Sequence, residues 1–382
     1  MADEASDLNG TNEPPLVLRV GLPAPPRPPK PRPGLGEAIL WCIVFLFTQL
    51  LSTIVTFALV LLLFALTAPS MKEFFQEQFG GFGKAVDVKT PARERPAMPG
   101  AIGQALAYGM LAAQFASLGL ILLVMPRRVG PDWCRQIGVR TPAGLHVLLI
   151  FLVVPGFLIV PDAMLELTRG ITGLQPSDTA SSLKSVFRDV PMLVSLLAVS
   201  IGPGVVEELW CRGFLGRGLT ARYGMKAGVL LTSLLFGLLH VEPALVPTIT
   251  LMGIYLHFVY LMSRSIWISI LLHVLNNGVT LLRTLLVSGP EQADPAAAEL
   301  KPVVYLAAFA VILFGSIAFW TSRAEVVRAG KEGPEWQPEY PGISTPPAGL
   351  GGRYRLIHAA VSPASVVMTF VSCCALLYLL TR

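Results

Sequence analysis

Charge is what this chain has least of. Asp, Glu, Lys and Arg make up 14% of its 382 residues, where a soluble domain carries about a quarter. That shortage leaves too little polar surface for an ordinary water-soluble fold. The net charge of +5 is modest, and the basic residues lie beside apolar runs instead of forming a cationic stripe. Nucleic acid is therefore not an expected partner. Cysteine is scarce as well: Cys42, Cys134, Cys211, Cys373 and Cys374 include no Cys-x-x-Cys pair. An odd number cannot all pair within one chain, and most sit in apolar runs, where a free cysteine behaves as a small hydrophobe. No hydrophobic stretch precedes residue 38, and the opening MADEASDLNG is acidic and polar, so no signal peptide is expected.

Apolar residues, by contrast, are abundant. They account for 53% of the chain, with a mean hydropathy of +0.63. After a proline-rich stretch over residues 1–36, expected to be a disordered cytoplasmic tail, long apolar runs alternate with short polar breaks. Runs of about 18 residues or more read as membrane helices. They occur at 38–68, 101–125, 145–161, 191–216, 227–243, 244–263, 265–288, 302–321 and 359–380. The expected fold is all-α, a polytopic transmembrane helix bundle of about eight or nine spans. N-terminal membrane helices fill 37–190, a core 191–290, and further membrane helices with a polar loop 291–382. With the N-terminus inside, the inner segments hold eighteen Lys and Arg and the outer segments ten, which places the N-terminus in the cytoplasm of a multi-pass cell-membrane protein.

Ionisable residues inside such spans cost about 2.5–3.5 kcal/mol each, so each needs a reason. In 201–219 Glu208 precedes Arg212 by four residues, the favourable order for a helical ion pair. Glu207 is turned by roughly 100° from Glu208. If Arg212 holds Glu208 as an anion, Glu207 is left as a general base. A purely structural ion pair is the competing explanation. In 230–243 Phe236 and His240 lie one turn apart, although a lone histidine on an apolar helix is more often a hydrogen-bonded core residue than a catalyst. In 265–279 His273 and Asn277 share a face and could both donate to a developing negative charge; an interhelical hydrogen bond would explain them equally well. Asn276 faces elsewhere by the same helical geometry. Three helices within about eighty residues thus bring a base, histidines and oxyanion donors to one face each. Convergence of Glu207, His240 and His273 in one polar cavity is the expectation.

These residues resemble the CAAX prenyl protease and bacteriocin-processing family of membrane proteases, also called the ABI family. Its motifs are Glu-Glu-x-x-x-Arg, Phe-x-x-x-His and His-x-x-x-Asn, met here by Glu207, Glu208 and Arg212, by Phe236 and His240, and by His273 and Asn277. The resemblance covers roughly residues 188–290. It implies an intramembrane endopeptidase acting on a membrane-associated peptide or protein, lipidated or not. By the same resemblance Glu207 and His240 activate a water, His273 and Asn277 bind the oxyanion, and Glu208 with Arg212 organises the site. Members have been called metalloproteases, and Glu and His can ligate zinc. No His-Glu-x-x-His is present, so a metal-free mechanism is preferred while a divalent metal such as zinc stays open as a cofactor. Neither Gly-x-Ser-Gly nor Gly-x-Gly-Asp occurs, which sets aside serine and aspartyl membrane proteases. A missing Gly-x-x-x-x-Gly-Lys loop argues against ATP. A non-catalytic scaffold or chaperone, a bacteriocin self-immunity protein and a proton-coupled transporter are the alternatives.

Overall fold

The computed structural model describes residues 32–80, 100–174, 179–286, 302–328 and 354–381. The proline-rich stretch up to residue 31 and most of the expected polar loop, 329–353, lie outside them. Among the described residues eight helices are long and apolar enough to cross a membrane. They are α1 (Leu35–Thr67), α3 (Gly100–Arg128), α4 (Gly144–Thr172), α6 (Met192–Tyr223), α8 (Val246–Ser263), α9 (Ile266–Leu286), α10 (Pro302–Thr321) and α11 (Pro363–Leu380). Shorter helices are α2 (Met71–Gly80), α5 (Thr179–Phe187) and α7 (Met225–Leu238). The protein is a multi-pass helical membrane protein.

Two expectations about the spans are refined. The apolar run at 145–161 belongs to a longer helix: α4 continues through Pro155 and Pro161 to Thr172. The run at 227–243 gives only the 14-residue α7, about 21 Å long at 1.5 Å per residue, against a hydrocarbon layer of about 30 Å. The chain turns at 239–245 instead, where Val241 adopts φ 55°, a backbone region a β-branched residue rarely enters. α7 and α8 then pack as an antiparallel pair. At Gly237 a Cβ would lie 2.7 Å from Thr250 Oγ1 and 2.9 Å from the Val246 carbonyl, so only glycine permits this approach near the tip.

The legs share two ends. At one end, the Arg217 guanidinium donates to Gln136 Oε1 at 2.5 Å and Tyr260 to the Ile137 carbonyl at 3.0 Å. Here too Ser265 donates to the Arg140 carbonyl and Arg264 to that of Ala324. Glu37 meets Arg128 at 3.3 Å, and the start of α1 accepts a contact from α6, the Leu35 amide donating to Tyr223 Oη. This end also carries a two-stranded antiparallel hairpin not foreseen in the sequence, β1 (Ala324–Arg328) and β2 (Tyr354–His358), paired from Ala324↔His358 to Arg328↔Tyr354. It abuts α4, where the buried His146 ring bonds Ser322 at 3.1 Å and meets His358 edge-on. At the opposite end Leu285 of α9 packs with Val186 and Phe187 of α5, and Gln104 near the start of α3 donates to the Asp189 carbonyl. The main core lies nearer the first end, where Phe45, Trp210, Phe214, Ile137 and Met125 are almost fully buried.

Candidate active site

The site begins with an irregular helix. α6 is wound with π-helical turns at Leu197–Ile201 and Leu209–Gly216, the first marked by the Gly202 amide bonding back to the Leu197 carbonyl. Such π-turns are enriched at functional sites because they re-aim the side chains that follow. Pro203 has no N–H to offer the carbonyl four residues back. That carbonyl belongs to Val199, and Asn277 Nδ2 donates to it at 3.2 Å. One residue further, Gly204 lies so close to α9 that a Cβ would stand 2.5 Å from Val274 Cγ2. Ser200 ties the same two helices by donating to the Val274 carbonyl at 2.9 Å. The Gly202-Pro203-Gly204 string therefore draws α6 and α9 together one turn before the paired glutamates.

Glu208 is fully buried. Arg212 Nη1 donates to its Oε1 at 2.6 Å, while Arg212 Nη2 donates to the Gly253 carbonyl of α8 at 2.8 Å. The same guanidinium lies 4.6 Å above the Phe236 ring of α7, a cation–π contact out of reach of water. His273 of α9 reaches the same carboxylate oxygen, its Nδ1 standing 2.9 Å from Glu208 Oε1. Glu208 thus receives two helices' donors, and its role exceeds the ion pair with Arg212 read from the sequence.

Glu207 points away from Arg212. Its side chain is 18% exposed and its Oε2 stands 4.0 Å from His273 Nε2, yet that oxygen is itself buried with no hydrogen-bond partner. His240, at the exposed tip after α7, bonds through Nδ1 to the Phe236 carbonyl at 2.9 Å. Its ring meets the Phe236 ring edge-on with centroids 5.1 Å apart, and His273 meets the same ring at 5.9 Å. Glu207, Glu208, Arg212 and His273 form one contiguous polar cluster; His240 contacts Phe236, and among the described residues no hydrogen bond or ion pair links it to Glu207 or His273. Asn277 sits one turn further along α9, with its hydrogen bonds on Val199 and, through Oδ1, on Asn276 Nδ2 at 3.2 Å. Asn276, which helical geometry turns away from Asn277, still reaches it through this amide–amide bond.

Among the described residues no three His, Cys, Asp or Glu side chains group closely enough to hold a metal ion. Within the site His273 Nδ1 and Arg212 already converge on Glu208 Oε1. His257, buried on α8, packs its ring towards Gly216 and edge-on to Tyr260, away from the glutamates.

Residues 189–279 match the family model described as type II CAAX prenyl endopeptidase Rce1-like, and this stretch is an Rce1-like domain within the longer chain. The match spans every residue of the cluster. A Bacillus subtilis (strain 168) protein named YdiL, itself described provisionally as a membrane peptidase, is 24% identical over 191 residues, 46% of this chain and 74% of its own length. No solved structure matches.

Proposed function

We propose that the protein is an intramembrane endopeptidase that hydrolyses a peptide bond of a membrane-associated protein or peptide. The observation that carries this reading is Glu207 Oε2, a buried carboxylate oxygen without a hydrogen-bond partner, 4.0 Å from a histidine nitrogen. Glu208 Oε2 is likewise buried without a partner; what sets Glu207 apart is that its side chain is partly exposed and, among the described residues, has no guanidinium on it, so it is open to water. The separation from His273 is too long for a direct hydrogen bond, so Glu207 Oε2 is left free to bind the attacking water.

In this reading Glu207 takes a proton from the water as its oxygen bonds the carbonyl carbon, and returns it to the amine as the C–N bond breaks. His240 assists: with its Nδ1–H given to the Phe236 carbonyl, the neutral ring presents Nε2 as an acceptor. His273 gives Nδ1–H to Glu208, and that carboxylate balances positive charge on the ring while Nε2 faces the developing oxyanion. Asn277 uses one Nδ2 hydrogen on Val199 and has a second for the oxyanion. No step runs through a metal. The family description brings prenylated Cys-a-a-X tails into consideration as substrates, and the Lys/Arg bias favours an N-terminal end in the cytoplasm.

The test is peptide release by the purified protein from membrane-anchored peptides, lipidated and unlipidated. Glu207→Gln preserves shape and hydrogen bonding but cannot accept the proton, so turnover should fall by about 10²–10⁴-fold, the usual worth of a general base, with unchanged thermal unfolding. Parent-like release by this variant would remove Glu207 as the base.

A further inference from the structure

Burial along the two site helices changes at one level. In α6 every residue from Glu208 to Gly216 is buried, whereas from Ile201 to Glu207 buried and partly exposed positions alternate. In α9 Leu272 and His273 are buried, Val274 to Gly278 are partly exposed, and Val279 and Thr280 are exposed before Leu281 is buried again. Both helices open in the same direction, away from the end that holds Arg128, Arg140, Arg217 and Arg264. A polar stripe continues that way along α9: His273, Asn276, Asn277, Thr280 and Arg283 fall at i, i+3, i+4, i+7 and i+10, one face of a helix. The short α7 stops on the same side, leaving His240 and the 74%-exposed Val241 at its tip. Towards the arginine-bearing end the site is closed by the buried Trp210, Phe214 and Ile137. Interhelical bonds of Arg217 to Gln136 and Tyr260 to Ile137 lie behind these side chains.

We infer that the site takes water and substrate from the membrane face opposite the arginine-rich end. By the Lys/Arg rule that face is the non-cytoplasmic one. The substrate class is then a polypeptide segment exposed outside the cytoplasm beside its own membrane anchor, rather than a cytoplasmic lipidated tail. This rests on the peptidase reading for what is cut, and on the burial pattern alone for the side from which it enters.

The chain supplies its own reporter for the test. Cys134 is exposed and lies at the arginine-rich end; Cys374 is exposed on the membrane helix α11, and Cys42, Cys211 and Cys373 are buried. A charged, membrane-impermeant maleimide is applied to intact cells expressing full-length Val241→Cys or Thr280→Cys, and again after the membrane is opened. The second variant serves should the turn at 241 not accept the first. The introduced cysteine should be labelled in intact cells, and Cys134 only after opening. Labelling of the new cysteine only after opening, or of Cys134 in intact cells, overturns the proposal, as does no labelling at either introduced position. Labelling as expected from a protein that releases no peptide would leave the sidedness standing and count against the peptidase reading alone.

Discussion

Glu207 and Glu208 are neighbours in sequence with opposite fates, and the reason is local. Four residues after Glu208 comes Arg212, and an i,i+4 pair of this order needs nothing beyond the helix to form, so the 2.6 Å contact was legible in the sequence. The Glu208–His273 bond at 2.9 Å was not. Which of two adjacent carboxylates a residue of another helix meets depends on helix rotation, and the π-turns on either side of Gly202–Glu208 shift that rotation. Asn276 was lost for a related reason: an angle of about 100° between adjacent residues does not stop one amide from bonding the next. Burial sets the consequence of removing Arg212. Arg212→Ala leaves the Glu208 carboxylate in a dry site, and losing one partner of a buried pair costs about 3–5 kcal/mol. The midpoint of thermal unfolding in detergent should fall accordingly. Adding Glu208→Gln to Arg212→Ala should restore part of the loss, because no stranded charge then remains. Equal midpoints for Arg212→Ala and the parent would mean that the pair does not hold the helices.

At the scale of elements, long apolar runs gave the spans because about 18 apolar residues have few other places to go. Composition did not give the length of α7. The run at 227–243 is apolar as far as Leu239 apart from Thr232 and Ser233, and only the turn before Pro243 ends it. The β1–β2 hairpin was equally hidden, since each strand is five residues long and the pairing joins segments separated by a long connection. The α6–α9 contact carries its own prediction. Asn277 donates to the Val199 carbonyl, which Pro203 cannot serve. Asn277→Ala should therefore cost about 1 kcal/mol of stability, the net worth of a hydrogen bond, besides any loss of turnover. In Pro203→Ala an amide four residues on becomes available to the same oxygen, so the further cost of Asn277→Ala should shrink. A double-mutant cycle read by unfolding measures that coupling directly. Strictly additive effects would mean that Asn277 does not compensate for the proline.

Across the whole molecule the membrane makes the position of polar groups informative, because each must be paired or wetted. The sequence showed that the catalytic candidates lie on three helices; it did not show on which side of Glu207 and His273 the helices become less buried, since that follows from the depth at which α7 turns and from the rotation of α9. Thr280 lies on the open side, two turns beyond His273 on the polar stripe and exposed, without a contact to Glu207, Glu208 or Arg212. Among the described residues its hydroxyl bonds back to the Asn276 carbonyl at 2.8 Å, so its side chain can be changed with little effect on folding, within about ±0.5 kcal/mol for an exposed position. A size series at this position tests whether the stripe is a path. Thr280→Ala should release peptide at the parent rate or faster. Thr280→Trp, which places a large ring across the stripe, should lower kcat/KM for long membrane-anchored substrates more than for short soluble peptides, while thermal unfolding stays near the parent midpoint. The comparison between substrate lengths separates obstruction from damage, because a distorted Glu207–His273 geometry would slow both equally. Parent-like cleavage of long substrates by Thr280→Trp would show that substrate reaches Glu207 by another way, from between the helices or from the arginine-rich end.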